Sequence, residues 1–209
     1  MPRRPAYRPA MKQRKKQPVQ TRQAILDAAG TEFSTHGYAG TGLGAIVTRA
    51  ALTKGALFHH FPDKQALAAT WIETSLATAI EALWITPVAE IGSLDALRSL
   101  CRARCLELEP GDATSALVAL TAESAATDPL LGAALERIFG AWRAAIAGLL
   151  ERGQAAGWVH RSIQPAGEAV FLVASIAGFS VTTRCHPDES IRRTCATAVE
   201  SYLETLRAQ

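Results

Sequence analysis

Residues 41–67, TGLGAIVTRAALTKGALFHHFPDKQAL, decide how the rest of the chain is read. Leu43, Ile46, Val47 and Ala50 stand at i, i+3, i+4 and i+7, one apolar stripe of a helix, with Thr41 placed to cap its free amides. After a short turn Thr53 is a second N-cap candidate, and Leu57 and Phe61 at i and i+4 make a brief inward face. Gly55, Ala56, Phe58 and His59 spread around the opposite arc. Small residues at a helix start let its backbone approach a groove closely, and the positive end of the helix dipole favours the phosphates beside it. Two short helices with that asymmetry are how a DNA-reading helix-turn-helix looks. Pro62 stops the second helix, Asp63 caps the next, and Lys64 falls in its first turn, where an ammonium can meet a phosphate. The same spacing also fits a helical hairpin that binds no DNA, in which Lys54, His59 and Lys64 are merely solvated.

Extending backwards adds Thr21-Arg22, Ile25-Leu26, Ala28-Ala29, Phe33 and Gly37-Tyr38, followed by Thr41, Ile46, Ala50, Thr53-Lys54-Gly55, Leu57-Phe58, His60-Phe61, Lys64 and Leu67. In this order the residues resemble the N-terminal domain of TetR-family transcriptional repressors over positions 21–67. The resemblance implies an all-α protein with an N-terminal three-helix DNA-binding domain, followed by a helical ligand-binding and dimerisation domain. Three departures stand out: Ala51 where the family usually has Gly, Phe58 where it has Tyr, and Gly42 and Gly44 where it has bulkier residues. Ala51 implies strain if the turn keeps a positive φ. Phe58 has no hydroxyl for a phosphate, leaving apolar contact such as a thymine methyl. Each glycine lowers helix propensity by roughly 1 kcal/mol relative to Ala. The expected contacts are Thr41, Thr53 and Lys64 to phosphates, with Lys54, Gly55, Ala56 and His59 nearest the bases.

The charge pattern agrees with a polyanionic partner. Of the net +3, residues 1–64 carry +8 and residues 65–209 carry −5. The first twenty residues hold Arg3, Arg4, Arg8, Lys12, Arg14, Lys15 and Lys16 and no acid, which reads as a basic disordered arm able to add phosphate or minor-groove contacts, or as a solubilising tail. The longest charge-free stretch in the later part, residues 169–183, is shorter than the ~20 apolar residues a membrane span needs, and no apolar signal segment opens the chain, so a cytoplasmic protein is expected. Cys101, Cys105, Cys185 and Cys195 show no compact framework, which suits a reducing compartment.

The remaining periodicity is helical. A first helix is expected at 21–35, ended by Gly37, and a long one at 63–84, interrupted by Pro87. Further helices are expected at 94–107, 113–126, 129–153, 165–184 and 188–206, with no strand pattern between them. The domains are then an arm at 1–20, a reading domain at 21–67 and a regulatory domain at 68–209. The last two helices present Ala174, Ala177, Gly178 and Val181 on one side and Cys195, Val199, Tyr202 and Leu206 on the other, faces from which two copies could build a four-helix interface. By resemblance the final two helices form the dimer, with Ala174, Gly178, Val181, Val199 and Tyr202 in the interface. Trp71, Trp84, Phe139, Trp142 and Phe171 lie on helices that, by resemblance, surround an effector cavity, although core packing is the default role for any one of them. Residues 114–123 resemble a subgroup that often has a cysteine near Ser115; none stands here, so that mode of sensing does not transfer.

No metal-binding, nucleophile-elbow, phosphate-loop or dinucleotide motif is present, so neither an enzyme nor a cofactor is expected. The expected function is a sequence-specific regulator, a repressor released from a palindromic operator in double-stranded DNA by a small apolar or amphipathic effector. The alternatives are a DNA-binding regulator without a ligand and a helical interaction module that does not bind DNA.

Overall fold

The computed structural model describes residues 18–109, 111–185 and 188–208. The expected arm lies largely outside the described residues, and its last three positions are already helical, because α1 runs Pro18–Gly40. Proline is tolerated in the first helical turn, where no intrahelical acceptor awaits its missing N–H. The expected end at Gly37 is found as a break inside that run: Gly37 has φ 73 and ψ 173, and one further helical turn follows it.

Helices α2 (Leu43–Arg49) and α3 (Lys54–His60) follow. Helix α4 is a single rod that starts as Lys64–Trp71, widens into a π-turn over Ile72–Leu76, returns to α geometry over Ala77–Ile80, widens again over Glu81–Ile85 and ends in Thr86–Ala89. The expected interruption at Pro87 does not occur. Proline breaks a helix by removing one i→i−4 bond and crowding the carbonyl behind it, and the π-turn just before Pro87 already departs from that ladder.

The C-terminal helices are α5 (Leu94–Glu107), α6 (Ala113–Ser124), α7 (Pro129–Ala156), α8 (Pro165–Cys185) and α9 (Glu189–Glu204). Ser93, Asp112, Asp128 and Asp188 cap α5, α6, α7 and α9 through their side-chain oxygens. Among the described residues there is no strand, only an isolated bridge between Val159 and Arg207. One continuous apolar core runs from Ile25 and Phe33 in α1 through Leu67, Trp71 and Ile80 in α4 to Leu135, Trp142 and Leu149 in α7. The N-terminal and C-terminal helices therefore share packing, not just a linker. Trp71 lies at the seam, its ring 5.8 Å from that of Phe33. Gly30 makes room for it: a Cβ there would sit 2.3 Å from Trp71 Nε1.

The apolar stripe of α9 corrects the expected dimer face. Cys195, Val199 and Leu206 are buried within the subunit, where α9 packs along α5, and ion pairs Arg98–Glu204 (2.8 Å) and Arg102–Glu200 (2.7 Å) flank the seam. Val199 is thus a core residue. Tyr202 is half-buried, its ring centroid 4.5 Å from that of Phe171 and its hydroxyl bonded to Glu168. By contrast, Ala174, Gly178 and Val181 on α8 are exposed.

Candidate nucleic-acid interface

The reading unit is held by α1. Ile46 of α2 and Leu57 of α3 are buried against Ile25, Leu26 and Phe33, which leaves the far side of both short helices in solvent. A second tie is ionic: Glu32, 5% exposed, accepts from Arg49 Nε at 2.6 Å and joins the middle of α1 to the end of α2. Sequence reasoning missed this pair, although Glu32 falls at i+7 from Ile25, on the buried side of α1, where an unpaired carboxylate would be costly.

The turn between the helices keeps the geometry that favours glycine. Ala51 has φ 51, the one positive φ outside glycine among the described residues. Thr53 caps α3 as expected, its hydroxyl accepting from the Ala56 N–H at 3.2 Å. On the seven-residue α3, Thr53, Lys54, Gly55 and His59 are exposed and Ala56 is partly so, while Phe58 is 51% exposed. The residues expected near bases thus share one solvent-facing arc, with Lys54 supplying its positive charge. His60 turns toward the packed edge, its ring 5.1 Å from that of His59.

Two expected phosphate contacts are corrected. Thr41 does not cap α2; that position belongs to Gly42, with no side-chain bond. The Thr41 side chain is buried, and its hydroxyl donates to the Gly37 carbonyl at 2.7 Å, so it is enclosed instead of offered to DNA. Lys64 sits in the first turn of α4 behind its Asp63 cap, but its ammonium donates to the carbonyls of Tyr38 (2.9 Å) and Thr41 (3.1 Å) and lies 4.4 Å from the Tyr38 ring centroid. It pins α4 to the α1–α2 turn. The Tyr38 phenol beside it has its pKa raised, first by burial and then by the Asp128 and Asp63 carboxylates.

The same turn is gripped from the regulatory side. The Ala39 N–H donates to Glu123 Oε2 at 3.1 Å from α6, and Gln65 Nε2 donates to Asp128 Oδ2 at 2.9 Å from the α7 cap. No local pattern marks Glu123, since its partner stands eighty-four positions away.

The aromatic residues expected around an effector cavity do not gather around one. Trp84 and Trp142 are buried and stacked, centroids 4.8 Å apart, and Trp84 Nε1 donates to Thr114 at 3.2 Å. Phe139 stacks on Trp142 at 6.5 Å, Trp71 packs in the seam with α1, and Phe171 is 51% exposed on the outer side of α8. Apart from Phe171, these side chains pack in or against the core because their rings find one another, as large apolar groups at helical spacing do. Among the described residues no group of three or more His, Cys, Asp or Glu could hold a metal ion. Burial pushes the thiols of Cys101 and Cys105 up to about 12.

The chain matches the family model of bacterial regulatory proteins of the tetR family over residues 25–70 and that of the BetI-type transcriptional repressor C-terminal region over residues 93–208. It is 30% identical to the A-factor receptor protein of Streptomyces griseus over 165 residues, 79% of this chain and 55% of that protein. It is 45% identical to the transcriptional regulator AcrR of Shigella flexneri over 53 residues, 25% of each chain. The matches thus span about half or less of these curated relatives. The fold is shared with a TetR transcriptional regulator from Chloroflexus aurantiacus (TM-score 0.81, 23% identity, 92% of this chain and 98% of that one). It is shared too with the reduced form of E. coli NemR (TM-score 0.76, 19% identity, 90% and 97%).

Proposed function

From the premise that the chain belongs to the TetR family of bacterial regulatory proteins, we propose that it is a cytoplasmic, homodimeric DNA-binding repressor that leaves a palindromic operator when an effector binds its C-terminal domain. The observation that carries this reading is the exposed arc of α3, held outward by a packed scaffold and opened by a capped, glycine-containing first turn. Lys54, Gly55, Ala56 and His59 are assigned to the bases, Thr53 to a phosphate and Phe58 to apolar base contact. A single seven-residue helix reads too little DNA to bind tightly alone. Two copies set ~34–36 Å apart read both halves of a palindrome.

The apolar outer side of α8 supports the dimer: Val170, Phe171 and Val181 are 53%, 51% and 47% exposed, beside Ala174 and Gly178. Helix α8 is long and apolar enough to cross a bilayer by length and composition alone, with only 33% of that window buried. A second copy of the same helix would cover this surface. Release requires an effector that prefers the conformation unable to bind DNA, because equal affinity for both shifts nothing. The name of the Streptomyces griseus relative as a receptor supports an effector here.

The test is selection from a random duplex pool at near-physiological salt, followed by the stoichiometry on the selected site. A palindrome bound by a dimer supports the reading, and Lys54→Ala is expected to weaken it and relax one base position. Absence of enrichment with only weak, salt-sensitive binding refutes it. The mutual packing of Trp84 and Trp142 favours a second reading in which no ligand enters the interior.

A further inference from the structure

DNA reading leaves unused an open, mostly apolar cleft of about 410 Å³ between α4 and α7. One wall is Glu73, Ala77, Glu81 and Ile85, every fourth residue of α4. At 3.6 residues per turn such a row drifts roughly 40° at each step and leaves a straight face after three steps. Here Glu73 stands in the first π-turn and Glu81 and Ile85 in the second, and the wider winding of those turns keeps the row in line. The two departures from α geometry therefore build a wall, and π-turns inside α-helices are frequent at functional sites.

The opposite wall is α7, through Ala134, Arg137, Ile138 and Ala141. Five of the eight lining residues are apolar and form the floor, and three carry charge. Glu73 is paired with Arg137 across the cleft, which cancels that charge and braces the helices. Glu81, two steps along the same wall, is exposed, so the cleft carries one net negative charge beside an apolar floor. Its volume lies in the range of small-ligand sites. Directly behind it, Trp84 follows Glu81 on α4, Trp142 follows Ala141 on α7, and their rings stack.

We infer that this cleft is a ligand site for a small organic monocation with an apolar body, its charge facing Glu81 and its body on the floor between Ile85 and Ile138. The inference rests on the reading of the chain as an effector-controlled regulator and places the effector on the flank of α4 instead of in the interior. Because α4 also holds the reading unit through Lys64, an occupant that spreads the two helices acts on the rod that positions α3.

The experiment uses the full-length protein without DNA and follows the fluorescence of the stacked tryptophans. The probe is phenyltrimethylammonium, with 4-tert-butylbenzoate as a charge-reversed partner of similar shape. Saturable binding of the cation and not the anion is expected, weakened by added salt. Glu81→Gln should reduce cation affinity by about three- to fivefold, the scale of a partly exposed charge pair. Ala141→Phe, at an exposed rim position, should abolish binding while circular dichroism stays unchanged. Equal binding of both probes, no saturable signal, an unchanged affinity in Glu81→Gln, or retained binding in folded Ala141→Phe each overturns the site. Duplex selection tests the regulator reading separately. Cation binding without DNA selection leaves the cleft standing and removes the regulator, and selection without cation binding does the reverse.

Discussion

Replacing Gly37 by Ala tests the contact between the two domains at its tightest point. Gly37 holds φ 73 and ψ 173, a region populated essentially by glycine alone, and forcing a side chain into it costs about 1–3 kcal/mol. The new Cβ would lie 2.0 Å from Glu123 Oε1 and 2.8 Å from its Cδ, so the carboxylate must leave. Its departure leaves the exposed Ala39 N–H, now bonded at 3.1 Å, to water, and the net worth of that bond, about 1 kcal/mol, is lost. The expected loss is about 2–4 kcal/mol. Glu123→Ala alone should cost about 1 kcal/mol. The double variant should cost no more than Gly37→Ala, because the bond is already gone, leaving a coupling of about 1 kcal/mol. The assay is urea unfolding at fixed protein concentration, followed by tryptophan fluorescence, since dimerisation would otherwise shift the midpoint. Losses that add within about 0.3 kcal/mol would show that Glu123 does not grip the turn and would refute the contact.

Ala51→Gly should stabilise the protein by up to about 1 kcal/mol, raising Tm by about 2–4 °C, because a positive φ costs Ala roughly 1–2 kcal/mol and glycine returns part of that in chain entropy. Arg49→Ala leaves the buried Glu32 carboxylate with only the His36 ring, 3.7 Å away, and should destabilise by about 2 kcal/mol in denaturant titration, whereas an Arg on the surface without a partner would cost almost nothing. Toward a thiol reagent, native protein should expose Cys185 quickly and Cys101 and Cys105 only after unfolding. Burial raises those two thiols from 9.0 to about 12, so they stay protonated in the folded state while the unfolded chain ionises. Their contribution to stability is therefore complete below pH 9 and falls as pH rises from there toward 12, which pH-dependent unfolding checks.

The C-terminal helices were readable to within three residues because their ends are local chemistry. Ser93, Asp112, Asp128 and Asp188 each precede a periodic run and each caps it, and Gly157 closes α7 in the left-handed conformation. The exposed arc of α3 was readable for the same reason: a cap, small residues and a two-position inward face suffice to orient seven residues. What failed was the assignment of a partner to a face. Periodicity put Val199, Tyr202 and Leu206 on one stripe correctly, yet whether a stripe meets its own α5 or a second molecule depends on contacts roughly a hundred positions away. Trp84 and Trp142 were expected around a cavity, and their stacking shows why residues on facing helices can make a core instead.

The two corrected phosphate contacts carry the larger consequence. Thr41 and Lys64 are drawn inward to the same short turn that Glu123 reaches from α6, so the carbonyls of Gly37, Tyr38 and Thr41 and the N–H of Ala39 are all occupied within five residues. A turn so fully bonded has little freedom of its own. Its position is set jointly by α4, through Lys64, and by α6, through Glu123. A rod alone could bend and leave the reading unit behind, but a turn held from two helices must follow both, and α2 starts directly after it at Leu43. The contacts from the C-terminal helices to the reading unit thus have two inputs that converge before α3. On the proposed reading, an effector on either helix would act on the orientation of Lys54 and His59 without touching them. For that reason Thr41→Val and Lys64→Met, which remove only internal bonds, are expected to weaken operator binding as Lys54→Ala does, and unchanged affinity in the same duplex-binding assay would refute the coupling.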